Sequence, residues 1–302
     1  MSEIKLGFVG LGSMGLCMAR NAVAAGINTK GFDIRPSACA AFDAAGGKAV
    51  DSIIEAATDV DVFAVMVVNE TQLREVLFGE GGAVNGLRSG SVVLLCCTIA
   101  PKDAREIASE LESRELLVID TPVSGGVVGA DAGTLTLMAS GAQAAFDIAA
   151  PVLDAISGTV YRVGKDAGLG STYKVVHQLA AGVHLAAAAE VMAFGAHAGC
   201  DTRLLMEIVS KSAGNSWMFS DRVPHMLEND FTTRSSIDIF VKDLGLVVDT
   251  GYATKTPLPL AAAALQIFLS ASSMGHGGID DSAVVKVYEN ITGSPVEKRY
   301  SD

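Results

Sequence analysis

Six residues close to the N-terminus, Gly10-Leu11-Gly12-Ser13-Met14-Gly15, constrain this chain more than any other stretch. They follow an apolar run, Leu6-Gly7-Phe8-Val9, and precede a helix-compatible segment, Leu16 to Ala25. A second short strand then ends at Asp33, 18 residues past Gly15. Strand, glycine turn, helix, strand and acid is the order of a dinucleotide-binding unit. The first glycine permits the tight turn, the second lets backbone approach a pyrophosphate, and the third lets helix and strand pack closely. The helix N-terminus offers unpaired N–H groups and a positive dipole end to the phosphates. A plain glycine turn is the alternative, and the flanking elements argue against it. A carboxylate at Asp33 can bind both ribose hydroxyls of NAD and repels the 2′-phosphate of NADP, so NAD is expected over NADP. Arg35 partly offsets that repulsion. On the bland reading, Asp33 merely starts the turn Asp33-Ile34-Arg35-Pro36.

The chain has 302 residues, which fits two domains better than one. Half of the residues are hydrophobic, with a mean hydropathy of +0.39, enough for a large core. A net charge of −12 argues against nucleic acid and against anionic membrane surfaces as partners. The five cysteines are an odd number, Cys96 and Cys97 fall in an apolar strand, and no Cys/His metal spacing occurs, so reduced thiols in a cytoplasmic protein and no metal are expected. Met1-Ser2-Glu3-Ile4-Lys5 leads straight into a strand without the apolar core of a signal peptide. Residues 256–279 lack formal charge but contain Pro257, Pro259 and Gln266, which favours a buried helix over a membrane span.

Apolar runs recur at Leu6–Val9, Thr29–Phe32, Val60–Val68, Val92–Ile99 and Leu116–Ile119, with helical segments between them. Near-continuous Val, Leu, Ile and Cys is the pattern of strands buried on both faces. The expected fold is therefore α/β: a Rossmann-type, doubly wound, mostly parallel sheet. Thr134–Ala139 and Thr159–Val163 read as further strands at its far edge. From Gly168 onward the pattern is helical and alanine-rich, which predicts an all-α C-terminal domain joined by a long helix. The boundary is placed near Gly164: residues 1–163 for the nucleotide, 164–302 for substrate and oligomerisation. Asp201 reads as a helix N-cap, and the polar tail after Gly293 is expected to fray.

Three further features carry chemistry. Asp120-Thr121-Pro122-Val123-Ser124-Gly125-Gly126 follows a strand end, where open α/β sheets bind ligands. Ser124 supplies a hydroxyl, and Gly125 and Gly126 expose successive N–H groups, a concavity suited to a small carboxylate; an ordinary flexible loop is the alternative. Lys174 is the only formally charged residue between Ala167 and Ala189. Burial should lower its pKa and suit it to acid–base work, although a lysine snorkelling to the surface would look the same. Gln178 lies one turn on, on the same face, able to meet a substrate oxygen, with His177 beside it. His177 and His184 read first as core or interface histidines. Lys242-Asp243-Leu244 puts a charged pair on an apolar helix, which is costly without partners. Lys242 could reach cofactor or substrate and Asp243 could orient a catalytic group; a structural pair within the helix is equally open.

These clusters, in this order, resemble the β-hydroxyacid dehydrogenase family, which is related to 3-hydroxyisobutyrate dehydrogenase. The matching residues are Gly7 to Gly15 with Met18-Ala19; Thr121 to Gly126 with Gly129-Ala130 and Gly133-Thr134-Leu135; Gly168, Gly170 and Lys174; and Lys242-Asp243-Leu244. The resemblance spans nearly the whole chain. It implies that Lys174 is the catalytic acid/base, that Ser124, Gly125 and Gly126 hold a substrate carboxylate, and that Thr98 lies near the nicotinamide. It also implies that Val67, Val68 and Gln72 pass the adenosine and ribose, that Lys242 closes over the site, and that the protein is a homodimer or homotetramer. Many members carry asparagines where this chain has His177 and Gln178. That pair, with Gly182-Val183-His184 following, is most like the L-threonate dehydrogenase branch, and glycines and alanines around Gly182 would leave room for a four-carbon polyhydroxy acid. The implied reaction is NAD-dependent oxidation of a small hydroxy acid, L-threonate to 2-dehydro-L-erythronate first. 3-Hydroxyisobutyrate dehydrogenase or tartronate semialdehyde reductase activity, an inactive nucleotide-binding module, and an imine reductase are the alternatives; the last would be expected to replace Lys174.

Overall fold

A computed structural model describes residues 4–297. The chain folds into two compact units, one ending at Val175 and the other starting at Val176.

The first unit alternates strands and helices. In chain order these are β1 (Lys5–Val9), α1 (Ser13–Ala24), β2 (Asn28–Phe32), α2 (Pro36–Ala44), β3 (Lys48–Ala49), α3 (Ile53–Ala57), β4 (Val62–Val65), α4 (Glu70–Phe78), β5 (Val92–Leu95), α5 (Pro101–Glu112), β6 (Leu117–Asp120), β7 (Val123–Ser124), α6 (Gly126–Asp131), β8 (Leu135–Gly141), α7 (Gln143–Ile156) and β9 (Ser157–Gly164). They build one nine-stranded sheet in the order β3-β2-β1-β4-β5-β6-β8-β7, with β9 paired to β8. β1 pairs in parallel with β2 on one side and β4 on the other, so the strand order reverses between β1 and β4. That crevice is where doubly wound sheets bind nucleotides.

Strands β4 and β5 are buried at every position, because both sheet faces are covered. Val62, Ala64, Val92 and Leu94 face a core completed by Phe8, Met18, Phe146 and Leu153. Phe63, Val65, Val93 and Leu95 face the opposite core, completed by Leu73, Leu77, Ile107 and Leu111. The far edge changes direction: β8 runs antiparallel to β6 and β7, while β9 runs parallel to β8. The β8–β9 register slips twice, between Leu135 and Thr136 and between Ala139 and Ser140.

Several strand limits differ from the sequence expectation. β4 stops at Val65 and β5 at Leu95, so Val67 and Val68, and Cys96 and Cys97, lie in loops at the carboxyl edge. A side chain on Gly10 would meet the Met66 carbonyl, so only glycine fits where the turn passes the end of β4. None of the five cysteines forms a disulfide. Among the described residues no cluster of His, Cys, Asp and Glu is placed to hold a metal ion.

The long helix α8 (Leu169–His197) opens in the first unit and continues into the second. It is long and apolar enough to cross a membrane, but just over half of its most apolar window is buried in the fold. After it come α9 (Thr202–Ser210), α10 (Trp217–Glu228), α11 (Ile237–Ala253), α12 (Pro259–Ala271) and α13 (Val285–Thr292). Asp201 caps α9, accepting from the amides of Arg203 and Leu204. α12 buries one face only, through Ala261, Ala264, Phe268 and Ala271, and Phe268 stacks on Phe240 of α11 with ring centroids 4.9 Å apart. Arg222 of α10 is buried against Asp281, Nε to Oδ1 at 2.6 Å. The tail is tied down further than expected: Val296 is fully buried and its amide donates to Glu289 Oε1 at 2.7 Å. Residues 298–302 of that tail lie outside the described residues.

Candidate active site

The glycine turn closes as a built cradle. Gly10 takes φ +93°, a conformation open to glycine at little cost, and its amide donates to Phe32 O at the end of β2 at 3.0 Å. Gly15 packs against the Gly10 carbonyl, leaving no space for a side chain. Gly12 caps α1 without any side-chain hydrogen bond, and the first turn, with Ser13, Met14 and Gly15, carries no acid. A Cβ on Gly12 would meet only the Arg35 guanidinium, 3.7 Å away. No acid in the first turn therefore competes for the amide end of α1, which suits a pyrophosphate.

Asp33 sits just past β2 with its side chain 8% exposed. Its Oδ2 accepts from the Leu11 amide at 2.8 Å, and its Oδ1 from the Arg35 amide at 2.9 Å and Arg35 Nε at 3.0 Å. Burial pushes its carboxyl up, but the Arg35 hydrogen bonds and charge, with the Leu11 amide, outweigh this and hold it below the ordinary carboxylate range. Asp33 thus ties the glycine turn to β2 and stays charged. Arg35 spans the same corner, reaching the Leu11 carbonyl at 3.2 Å. These residues fit a dinucleotide: a helix N-terminus for its phosphates and an anionic acceptor for its ribose.

The other loops expected near the cofactor also leave the carboxyl edge of the sheet. Val67 donates its amide to Cys97 Sγ at 3.4 Å. The Val68 amide donates to Gln72 Oε1 at 3.0 Å, and the Gln72 amide to the Asn69 cap of α4 at 2.9 Å. Thr98, half-buried, lies three residues past β5.

Ser124 ends the two-residue strand β7 instead of lying in a free loop, opposite Thr136 of β8. Gly125 and Gly126 follow with φ +129° and +61°, and nothing lies within 4 Å of where a Gly126 side chain would begin. Just upstream, Asp120 ends β6 wholly buried. Its carboxylate accepts from the Gly168 amide at 2.9 Å, the Ser171 amide at 2.8 Å and the Ser171 hydroxyl at 2.7 Å. Sequence reasoning gave Asp120 no role; its place just before the Ser-Gly-Gly turn was the available signal. One turn beyond Ser171, Lys174 is 6% exposed, so the expected burial of this lysine is present.

Within the second unit, α8 and α11 bring together Gln178, Asp243 and Lys242. Gln178 is buried and its Nε2 donates to Asp243 Oδ2. Asp243, 2% exposed, also holds Lys242 Nζ at 2.6 Å from Oδ1. His177 Nδ1 lies 3.0 Å from Gln178 Oε1. Both polar ends of the Gln178 amide are thus engaged, leaving one N–H and one lone pair for another partner. Asp243 is not a pair within one helix only; it joins two helices. The room expected around Gly182 is absent: Gly182 is buried, and a side chain there would run into Leu244 at 2.8–2.9 Å. Its smallness lets α11 approach α8. His184 is exposed.

Comparison with known proteins agrees with this layout. Residues 5–164 match the model of the NAD binding domain of 6-phosphogluconate dehydrogenase. Residues 168–288 match the NAD-binding model of NADP-dependent 3-hydroxyisobutyrate dehydrogenase. L-threonate dehydrogenase of Escherichia coli K12 is 50% identical over 292 residues, 96% of this chain and 97% of that one. A solved structure of 3-hydroxyisobutyrate dehydrogenase from Salmonella typhimurium is 49% identical, with a TM-score of 0.89, covering 94% of this chain and 99% of that one. The Mycobacterium tuberculosis 3-hydroxyisobutyrate dehydrogenase, solved with L-serine, is 31% identical, with a TM-score of 0.83, covering 94% and 98%. Sheet order, glycine cradle and full-length likeness converge: the chain belongs to the β-hydroxyacid dehydrogenase family, NAD-dependent oxidoreductases of small hydroxy acids.

Proposed function

We propose that this protein is an L-threonate dehydrogenase, oxidising L-threonate to 2-dehydro-L-erythronate. The observation that carries the reaction type is a buried lysine on α8, just past a buried clamp on that helix. Support for the substrate is the 50% identity to a protein of that name together with the His177-Gln178 pair. The Salmonella relative, at 49%, carries the name 3-hydroxyisobutyrate dehydrogenase, which keeps that acid as the second reading.

NAD, when bound on the Gly10–Gly15 cradle with Asp33 at its ribose, supplies the hydride acceptor. The chain's own residues do the rest. Ser124 and the amides of Gly125 and Gly126 hold the substrate carboxylate, and this positioning supplies much of the rate. Lys174, neutral, takes the hydroxyl proton; in the reverse direction its ammonium donates to the carbonyl oxygen. Gln178, steadied by Asp243, holds the reacting oxygen. His177 and Asp243 at the substrate, and Val67, Val68, Gln72, Thr98 and Lys242 at the cofactor, belong to the same proposal. So do a nucleotide domain of residues 1–163, a substrate and oligomerisation domain of residues 164–302, a homodimeric or homotetrameric state and a cytoplasmic location.

The test is NAD reduction with L-threonate, D-erythronate, glycerate, 3-hydroxyisobutyrate and tartrate. Preference for L-threonate is expected. Activity with 3-hydroxyisobutyrate alone would keep the mechanism and overturn the substrate. Lys174→Ala should lower turnover by about 10²–10⁴-fold with NAD affinity nearly unchanged; near-normal turnover would refute the role of Lys174.

A further inference from the structure

Lys174 can serve as an acid/base only if α8 starts in one place. Helix starts carry unpaired amides and fray unless these are bound. Here they are bound by the sheet. Asp120 at the end of β6 takes the Gly168 and Ser171 amides and the Ser171 hydroxyl. Ser140 of β8 takes the Gly170 amide at 3.0 Å, and its own hydroxyl lies 3.5 Å from Asp120 Oδ2. Gly170 completes the fit, since a side chain there would collide with the Asp120 and Met138 carbonyls. Lys174 follows Ser171 by three residues, about 4.5 Å along the helix. Asp120 also immediately precedes the segment that ends in Ser124, Gly125 and Gly126.

We propose that Asp120 is a positioning residue for the reaction: its buried carboxylate fixes the first turn of α8, and so the placement of Lys174, to the strand end from which the Ser124–Gly126 turn departs. The proposal rests on the reading of Lys174 as the acid/base. What the arrangement uses is acceptor geometry. Burial raises the Asp120 carboxyl above its ordinary range, against the pull of hydrogen bonds from Ser171, Gly168 and Ser140. An asparagine can reproduce the pattern, its oxygen accepting the two amides and its NH2 donating to the Ser171 hydroxyl. An alanine cannot.

The experiment is single-turnover hydride transfer in the full-length enzyme with saturating NAD and the hydroxy acid that the panel selects. NAD affinity is measured in parallel by calorimetry. Asp120→Ala should slow the hydride step about 100-fold, the scale of a misplacement of about 1 Å, with burst amplitude and NAD affinity retained. Asp120→Asn should stay within about 3-fold of the parent, and Ser171→Ala should fall about 5-fold. A purely structural role would reduce the amplitude, as less enzyme folds, and leave the rate constant alone; that result overturns the proposal. So does an Asp120→Asn enzyme as slow as Asp120→Ala, which would assign the effect to charge. If Asp120→Ala does not fold, the other two decide: a slowed Ser171→Ala beside an intact Asp120→Asn supports the proposal, and an unslowed Ser171→Ala overturns it. Lys174→Ala in the same assay separates the two readings. If it keeps the parent rate, the reading of Lys174 fails; if it collapses while Asp120→Ala does not, only the positioning role fails.

Discussion

Replacing Asp33 by asparagine should weaken the enzyme's preference for NAD over NADP, and the corner around Asp33 sets the size of the change. The carboxylate accepts the Leu11 amide on one oxygen and the Arg35 amide and Nε on the other. Asparagine has one acceptor. Turned toward Arg35, it sets its NH2 against the Leu11 N–H, two donors face to face; turned toward Leu11, it sets that NH2 against Arg35. The glycine turn loses an anchor in either case. A hydrogen bond from a ribose hydroxyl to a charged acceptor is worth about 1.5–3 kcal/mol, so NAD affinity should fall about 10–100-fold. For NADP the sign reverses. A carboxylate about 4 Å from a phosphate charge at an effective dielectric near 20 is repelled by about 4 kcal/mol. Arg35, itself more than half exposed, screens most of that, so removal should gain about 1 kcal/mol, or about 5-fold. The ratio of the two dissociation constants, measured by calorimetry, should narrow by about 50–500-fold. Because Arg35 and Leu11 hold the Asp33 carboxyl below its ordinary range, Asp33 itself should add no pH dependence to the parent enzyme's preference through neutral pH. The stabilisation from this charge is present above the unfolded carboxylate value and lost only as pH falls through the lowered folded one. Unchanged NAD affinity in Asp33→Asn, with no gain for NADP, would refute the placement of Asp33 at the ribose.

Other perturbations give equally definite outcomes. Gly170→Ala forces a methyl onto the Asp120 and Met138 carbonyls; the hydride-transfer rate should drop about 100-fold and stability by about 1–3 kcal/mol, read by stopped flow and denaturant unfolding. Arg222→Met leaves Asp281 buried without its counter-charge and should cost about 3–5 kcal/mol at neutral pH. Burial pushes the Asp281 carboxyl up to about 6, against Arg222. Without Arg222 the carboxyl rises further, so the Arg222→Met deficit should shrink as pH falls toward that value and level off below it; unfolding midpoints across pH 4–8 would show a constant deficit if this is wrong. Gly182→Ala meets the Leu244 side chain and should destabilise by about 1–3 kcal/mol, measured as a lower unfolding midpoint.

Much of this molecule is legible in its sequence, where a local rule is strong. The Gly10–Gly15 turn, the doubly buried strands around Phe63 and Val93, the Asp201 cap and the burial of Lys174 each follow from patterns a few residues long. What escaped depends on distant partners. Asp120 and Ser171 are 51 residues apart, and no spacing rule joins them. Gly182 looks like room for a ligand until Leu244, 62 positions on, fills it. Val296 sits in a polar tail, yet Glu289 binds its amide and the core takes its side chain. The two-residue strands β3 and β7 are too short for any periodicity. Val67, Val68, Cys96 and Cys97 continue apolar runs but fall past the strand ends, because hydrophobicity persists where the backbone has already turned away.

The two ends of the sheet have a consequence for how the chain behaves while it folds. A strand edge offers unpaired amides and carbonyls to any extended segment, including one from another partly folded copy. On one side β3 offers only two residues, Lys48 and Ala49, with the lysine exposed. On the other, β9 has exposed Tyr161 and Arg162, and its register against β8 slips twice. A short charged border and a crooked one are both poor templates for adding another strand. A sheet with so apolar an interior is thereby guarded against growing sideways into aggregates at the stage when its covering helices are not all in place.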